Sequence, residues 1–231
     1  MAEKTKKKDF VEIEFIGLAN GEIFDTNIKK EAEKSGMNIE EKPLIVCIGE
    51  GMVVKGFDKE LEDKELGKKY KIKLSPENAF GKRNPSLIKI IPHSIFKEKQ
   101  INPVSGLMLN LDGMLAKILS VSGGRVITDF NNPLAGKDIE YEFTIKRKIG
   151  DEKDKVNALQ DFFFKKRFDF RVEDKIVFKE EAGPFLKIFE KKFKEILGKD
   201  IEVEKEKKKE KEKEKKEEEK KQGTKNHNTQ K

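Results

Sequence analysis

From Val11 to Phe15 apolar and charged residues alternate, and Asn20-Gly21 separates this stretch and its apolar continuation from Glu22-Ile23-Phe24. Val11, Ile13 and Phe15 fall on one side and Glu12 and Glu14 on the other, the period of a strand with one buried face. Asn and Gly both tolerate positive φ, so the pair marks a two-residue hairpin turn. The same grammar recurs along the chain. Tyr70, Ile72 and Leu74 alternate with lysines over 68–74. Asp112-Gly113 separates Leu107–Leu111 from Met114–Val121, and Ser122-Gly123-Gly124 turns into Arg125–Phe130. Ile139, Tyr141, Phe143 and Ile145 share a face. Residues 9–149 therefore read as a mostly antiparallel β unit. Pro43–Ile48 and Ser86–Ile91 add short apolar strands, the second ending at Pro92. Phe57, Leu61 and Glu65 predict one short helix over 58–66, closed by Gly67. Residues 27–38 are polar and read as a loop with a helical turn or two.

After 150 the pattern changes. Val156–Phe164 and Pro184–Leu197 have helical spacing, with Phe185, Ile188 or Phe189, Lys192 or Phe193, and Ile196 on one stripe. Phe168–Phe178 alternates like a hairpin, and Ile201–Val203 reads as a last strand. A phenylalanine-rich unit this small buries a low fraction of its surface. Docking on a partner or pairing with a second copy through 151–204 would cover the surplus. From Lys205 the chain is Lys/Glu repeats with no apolar residue, so burial cannot offset the entropy of ordering it. It reads as disordered or as a solvated helix held by i,i+4 pairs. With 41% charged and 35% hydrophobic residues, the 231-residue chain has folded domains but is not folded throughout.

The net charge of +7 invites a nucleic-acid reading, which its location weakens. Residues 205–231 hold 12 Lys and 7 Glu, and residues 1–8 hold 4 Lys and one Glu, leaving 9–204 at about −1. A domain that reads nucleic-acid sequence carries its positive charge on the fold. Cys47, the single cysteine, cannot form an internal disulfide, and with His93 and His227 far apart no metal-ligand cluster is written in the chain. No apolar run approaches the ~18 residues of a membrane span. The charged N-terminus leads into no apolar segment and argues against a secretory signal. The expectation is a cytoplasmic protein.

Four motifs stand in series. Gly21-Glu22-Ile23-Phe24-Asp25 follows the first strand, Gly49–Leu61 reads GEGMVVKGFDKEL, Ser75–Gly81 reads SPENAFG, and Leu134–Ile139 reads LAGKDI. In this order and spacing the chain resembles the FKBP-type peptidyl-prolyl cis-trans isomerases. About 50 residues separate the AFG motif from the last strand, which is similar to the SlyD-like and long archaeal forms with an insert-in-flap chaperone domain. Abundant Lys, Glu and Ile also fit a thermophilic source. The resemblance implies an α+β fold, an antiparallel sheet wrapped on a short helix. It assigns 1–85 and 132–149 to the isomerase domain, 86–131 to an inserted small β-rich chaperone domain, and 151–204 to a C-terminal α+β domain.

The resemblance also implies the site. Phe57 is the floor beneath a substrate proline, with Phe80, Tyr141 and Asp25 as the other catalytic residues. Phe15, Phe24, Leu44, Val53 and Val54 line the substrate, and the Val54 N–H binds a substrate carbonyl. Phe57 stands where eukaryotic members most often have Trp. Phe80 stands where the family usually has Tyr, which removes a hydrogen-bond donor and implies a weaker enzyme. No metal or cofactor is implied, and SlyD's histidine-rich metal-binding tail does not transfer to a Lys/Glu tail. The partners are unfolded or partly folded polypeptides with Xaa-Pro bonds.

In the insert, Ile90, Ile91, Phe96, Met108, Leu109 and Met114 are candidates for an exposed client-binding patch, because so small a module cannot bury so many apolar residues. The plainer reading makes them a small core. Two other functions stay open. One is a holdase whose isomerase site has decayed, favoured by Phe80. The other is a ribosome- or RNA-associated factor using the Lys-rich tails, whose binding would fall steeply with salt.

Overall fold

A computed structural model describes residues 3–40 and 42–204. The Lys/Glu stretch 205–231, with His227, lies outside the described residues. The chain divides into two compact units, residues 1–149 and the residues from Gly150 onward. Among the described residues no helix is long and apolar enough to cross a membrane.

In the first unit, β1 (Phe10–Ala19) turns at Asn20 and Gly21, both with positive φ, into β2 (Glu22–Thr26). Helix α1 (Lys29–Lys34) and strand β3 (Leu44–Cys47) follow, then α2 (Lys55–Glu60) and β4 (Lys69–Leu74). Strand β9 (Ile139–Lys148) returns after a separate sheet described below. The main sheet has the order β2-β1-β9-β4. β3 pairs with the first residues of β1, and β2 with its last. All these pairings are antiparallel. The alternation predicted for β1 and β9 is realised: Val11, Ile13, Phe15, Tyr141, Phe143 and Ile145 form one buried face with Phe57 and Leu61 of the α2 segment.

Helix α2 starts earlier than the spacing predicts and ends at Glu60, not Leu66. Thr5 is the physical reason. Its hydroxyl donates to the Leu61 carbonyl at 2.6 Å and accepts from the Lys64 N–H at 3.0 Å, taking over groups a longer helix would use itself. Asp63 then adopts φ 58°, which no helix continues through.

Residues 88–129 form a second sheet within the first unit: β5 (Ile88–Pro92), β6 (Met108–Leu111), β7 (Met114–Ser122) and β8 (Arg125–Asp129), with α3 (His93–Glu98) between β5 and β6. The strand order is β5-β8-β7-β6. Its core is Phe96, Leu111, Ala116, Ile118 and Val126. Helix α3 was not expected; six residues are too few for periodicity to announce it, and it forms around one anchor, Phe96.

The second unit holds α4 (Glu152–Phe163), β10 (Phe170–Val172), β11 (Ile176–Phe178), α5 (Gly183–Leu197) and β12 (Ile201–Val203). The Asp151 carboxylate caps α4 by accepting the Asp154 N–H at 3.0 Å. β10 and β11 form the predicted hairpin, and β12 runs parallel beside β11. The buried side of α5 is Leu186, Phe193 and Ile196, with Phe189 half-buried. The predicted stripe is therefore displaced at its start: Phe185 is exposed and Ile188 is 74% exposed. A run of apolar residues at 185, 186, 188 and 189 leaves the phase of an amphipathic helix undetermined until a partner surface selects it.

Candidate active site

The rings singled out in the sequence gather on the buried face of the main sheet. Phe57 on α2 and Tyr141 on β9 stack with centroids 4.4 Å apart and planes 14° from parallel. Phe15 on β1 lies 6.1 Å from each of them. Phe24 on β2 meets Tyr141 at 6.0 Å and Phe80 at 5.6 Å, both edge-on. Leu44, Val53 and Val54 pack on the same cluster. Phe57 and Tyr141 are 1% and 4% exposed, so the accessible rim is made by the half-buried Phe24, Leu44, Val53, Val54 and Phe80. A ligand ring reaches Phe57 only as these rim side chains give way.

Local structure explains how Phe24 comes to point inward. The β1–β2 register pairs Gly17 with Asp25 and Leu18 with Ile23, so Phe24 is the extra residue of a β-bulge. Bulges re-aim side chains. Gly17 leaves room for the ring; a Cβ there would sit 2.8 Å from Phe24 Cζ and 3.0 Å from Tyr141 Cε1. The end of β2 is tied down by its neighbours. The Thr26 hydroxyl donates to the Phe15 carbonyl at 2.6 Å. Asn27 accepts from the Phe15 N–H at 2.9 Å and donates to the Ile13 carbonyl at 2.7 Å. These contacts set Asp25 beside the rings. Partial burial pushes the Asp25 carboxyl above its ordinary pKa, against a hydrogen bond with the Thr26 backbone that lowers it. Burial, and then the Asp25 charge, push the Tyr141 phenol up.

The wall segment 52–54 has its own anchor. Asp58, 7% exposed, accepts the Gly49 N–H on one oxygen and the Gly51 N–H on the other, each at 2.8 Å. Among the described residues the Val54 N–H has no acceptor, which leaves it available to a ligand carbonyl. Sequence reasoning passed over Gly17 and Asp58. Asp58 lies within the GEGMVVKGFDKEL motif with no role that its neighbours announce, and nothing local betrays that Gly17 faces a ring seven residues on.

The arrangement is a closed, largely apolar cluster of rings under a half-buried rim, with one carboxylate at its edge and an open N–H beside it. Such a site can strip water from a neutral group and hold it by shape. A separate groove of about 500 Å³ lies elsewhere, lined among others by Glu14, Glu31, Lys71 and Glu142. Its carboxylates are paired, Glu142 with Lys71 at 3.1 Å, Glu14 with Lys146 at 3.1 Å and Glu31 with Lys34 at 2.8 Å, so it reads as a solvated sheet face.

In the β5–β8 sheet, Ile90, Met108 and Met114 are exposed, and Ile91 and Leu109 are half-buried against the core. Phe96, expected on the exposed patch, is 1% exposed and is the centre of that core. The six-residue helix α3, too short to show a period in the sequence, puts it there. On a helix the Phe96 side chain turns onto the sheet, where an extended or loop segment would have left it outside. Ile95, another apolar residue in excess of what the module can bury, is exposed, as are Val104 and Leu115, which the sequence pattern does not single out.

Comparison with known proteins adds an independent line. The family model described as FKBP-type peptidyl-prolyl cis-trans isomerase matches residues 1–97, and one described as FKBP26, IF domain, matches residues 89–134. A short-type peptidyl-prolyl cis-trans isomerase of Methanocaldococcus jannaschii is 32% identical over 149 residues, which is 63% of this chain and 94% of the relative. The SlyD isomerase of Aeromonas hydrophila is 27% identical over 129 residues, 55% of this chain and 56% of the relative. The FKBP-type 16 kDa isomerase of Escherichia coli is 28% identical over 108 residues, 45% of this chain and 72% of the relative.

Proposed function

The chain belongs to the FKBP-type peptidyl-prolyl cis-trans isomerases, and on that premise we propose that it turns Xaa-Pro bonds of unfolded chains in the aromatic hollow while its β5–β8 sheet holds the client. Rotation of the Xaa-Pro bond crosses a barrier of about 18–20 kcal/mol because it interrupts amide resonance. No covalent bond is made or broken. Water stabilises the charge-separated, planar amide, so removing it lowers the cost of twisting. Binding the twisted form better than the planar one does the rest. In this reading Phe57 and Tyr141 form the floor, and Phe15 backs it. Phe24, Leu44, Val53, Val54 and Phe80 close around the proline, and the Val54 N–H takes a substrate carbonyl. Asp25 is the edge charge that orients the peptide. The observation that carries the reading is the stacked Phe57–Tyr141 pair inside one continuous cluster with Phe15, Phe24 and Phe80.

Phe80 offers no hydroxyl to the substrate. Phe80→Tyr is expected to raise kcat/KM on a proline peptide by about 2- to 10-fold, the kinetic equivalent of one hydrogen bond of about 0.5–1.5 kcal/mol. A protease-coupled assay reads this directly. No gain in rate would show that the hydroxyl has no partner in this site.

Ile90 and Met108, exposed on the outer face of the inserted sheet, and Met114, exposed with Ile95 on the α3 side, support client capture by this small module, because exposed apolar surface that a module leaves uncovered marks interaction sites. Capture next to the hollow raises the local concentration of Xaa-Pro bonds. The triple variant Ile90→Ser, Met108→Ser, Met114→Ser is expected to lower the ratio of protein-refolding rate to tetrapeptide rate by about tenfold or more. The measurement is proline-limited refolding with catalytic amounts of each protein. A ratio equal to that of the parent would remove the client-holding role and leave the isomerase reading intact.

A further inference from the structure

We propose that the outer face of the β5–β8 sheet selects unfolded segments in which an aliphatic residue and an Asp or Glu stand two positions apart, with Arg125 as the selecting charge. The proposal rests on the reading of this sheet as the client-holding surface and specifies what it holds. Strand pairing fixes two cross-strand rows on that face. Ser120, Ile127 and Ile90 form one row, and Ser122, Arg125 and Pro92 the next. The row between them, Val121, Val126 and Ile91, points the other way, and Val126 is buried beside Phe96 in the core. Ile90, Ser120, Ser122, Gly123, Arg125 and Ile127 line a hollow of about 360 Å³. Its base is aliphatic, its rim carries two hydroxyls, and its end is a guanidinium.

Charge on this face is unbalanced. Arg125 makes no ion pair among the described residues. Asp129, the nearby acidic residue of β8, is already engaged by Arg83 and by the side chain and backbone of Asn131. Ile90 is 63% exposed, which leaves aliphatic surface beside the free cation. Ile127 and Arg125 are two residues apart on one strand, a separation of about 7 Å. An extended guest strand repeats that spacing between its own residues i and i+2. An aliphatic side chain seated on Ile90 and Ile127 thus brings an acid two positions away to Arg125, where the planar guanidinium can take both carboxylate oxygens.

The test is fluorescence anisotropy with the full chain and two labelled unfolded peptides of equal length, one built on Leu-Ser-Glu and one on Leu-Ser-Lys. The glutamate peptide is expected to bind about fivefold more tightly at low ionic strength, the size of one exposed ion pair. The preference should fade at about 0.5 M salt. Arg125→Glu is expected to abolish or invert it. Lys187→Glu makes the same change in net charge on α5 of the second unit and is expected to leave it intact. Equal affinities in the parent protein would overturn the selectivity alone. So would loss of the preference in Lys187→Glu to the same degree, since total charge would then explain it. Binding of neither peptide would overturn both the selectivity and the client-holding reading beneath it. Thermal melts of Arg125→Glu confirm folding, and the salt series on the parent protein tests the same charge without any substitution.

Discussion

Asp58→Ala is expected to destabilise the first unit by about 3 kcal/mol and to collapse isomerase activity with it. Two backbone N–H groups, of Gly49 and Gly51, donate to this carboxylate at 2.8 Å. Hydrogen bonds to a charged group contribute about 1.5–3 kcal/mol each. Both glycines are exposed, so water replaces part of what is lost, and the lower end of that range applies. A domain holds only about 5–15 kcal/mol in total, so the effect is large. Function suffers because the tethered loop runs directly into Met52, Val53 and Val54, and Asp58 adjoins Phe57. Asp58→Asn keeps one acceptor and turns a second donor toward a donor, so it should fall between Ala and the parent. Urea denaturation of the three proteins orders them. A midpoint for Asp58→Ala equal to that of the parent would mean the carboxylate is not what holds the wall.

Gly17→Ala is expected to act the other way round, with a modest loss of stability and a large loss of rate. The added methyl would lie 2.8 Å from Phe24 Cζ, 3.0 Å from Phe24 Cε1 and 3.0 Å from Tyr141 Cε1. Tyr141 is buried and stacked on Phe57, so it has little freedom to move. Phe24 is half-buried and swings outward instead, leaving Phe80 and the rim of the hollow. Overpacking of this kind costs about 1–3 kcal/mol. Misplacing a binding group by about 1 Å costs up to about 100-fold in rate, so kcat/KM should drop about 10- to 100-fold. Tetrapeptide kinetics beside a thermal melt separate the two effects. Full activity in Gly17→Ala would show that Phe24 does not need its bulged position for catalysis.

Gly17 and Asp58 also mark where sequence reading stops. Gly17 has no positive φ to explain it, and its necessity comes from two rings brought by other strands. Asp58 looks like any surface acid of a short helix until Gly49 and Gly51 fold over it. Phe96 looks like surplus apolar surface until α3 turns it onto Ile118 and Val126. The early end of α2 follows from Thr5, more than fifty residues away in the chain.

From the residues alone came the strands, their buried faces and their two-residue turns, because alternation and positive-φ residues act over a few positions. The ordered motifs added the family resemblance and with it the candidate pocket rings. Only the tertiary structure decided which apolar residues are core and which are left outside, where α2 stops, and why a glycine and a buried aspartate frame the hollow. Those outcomes depend on contacts between segments distant in the chain, and a local pattern carries no record of what will pack against it.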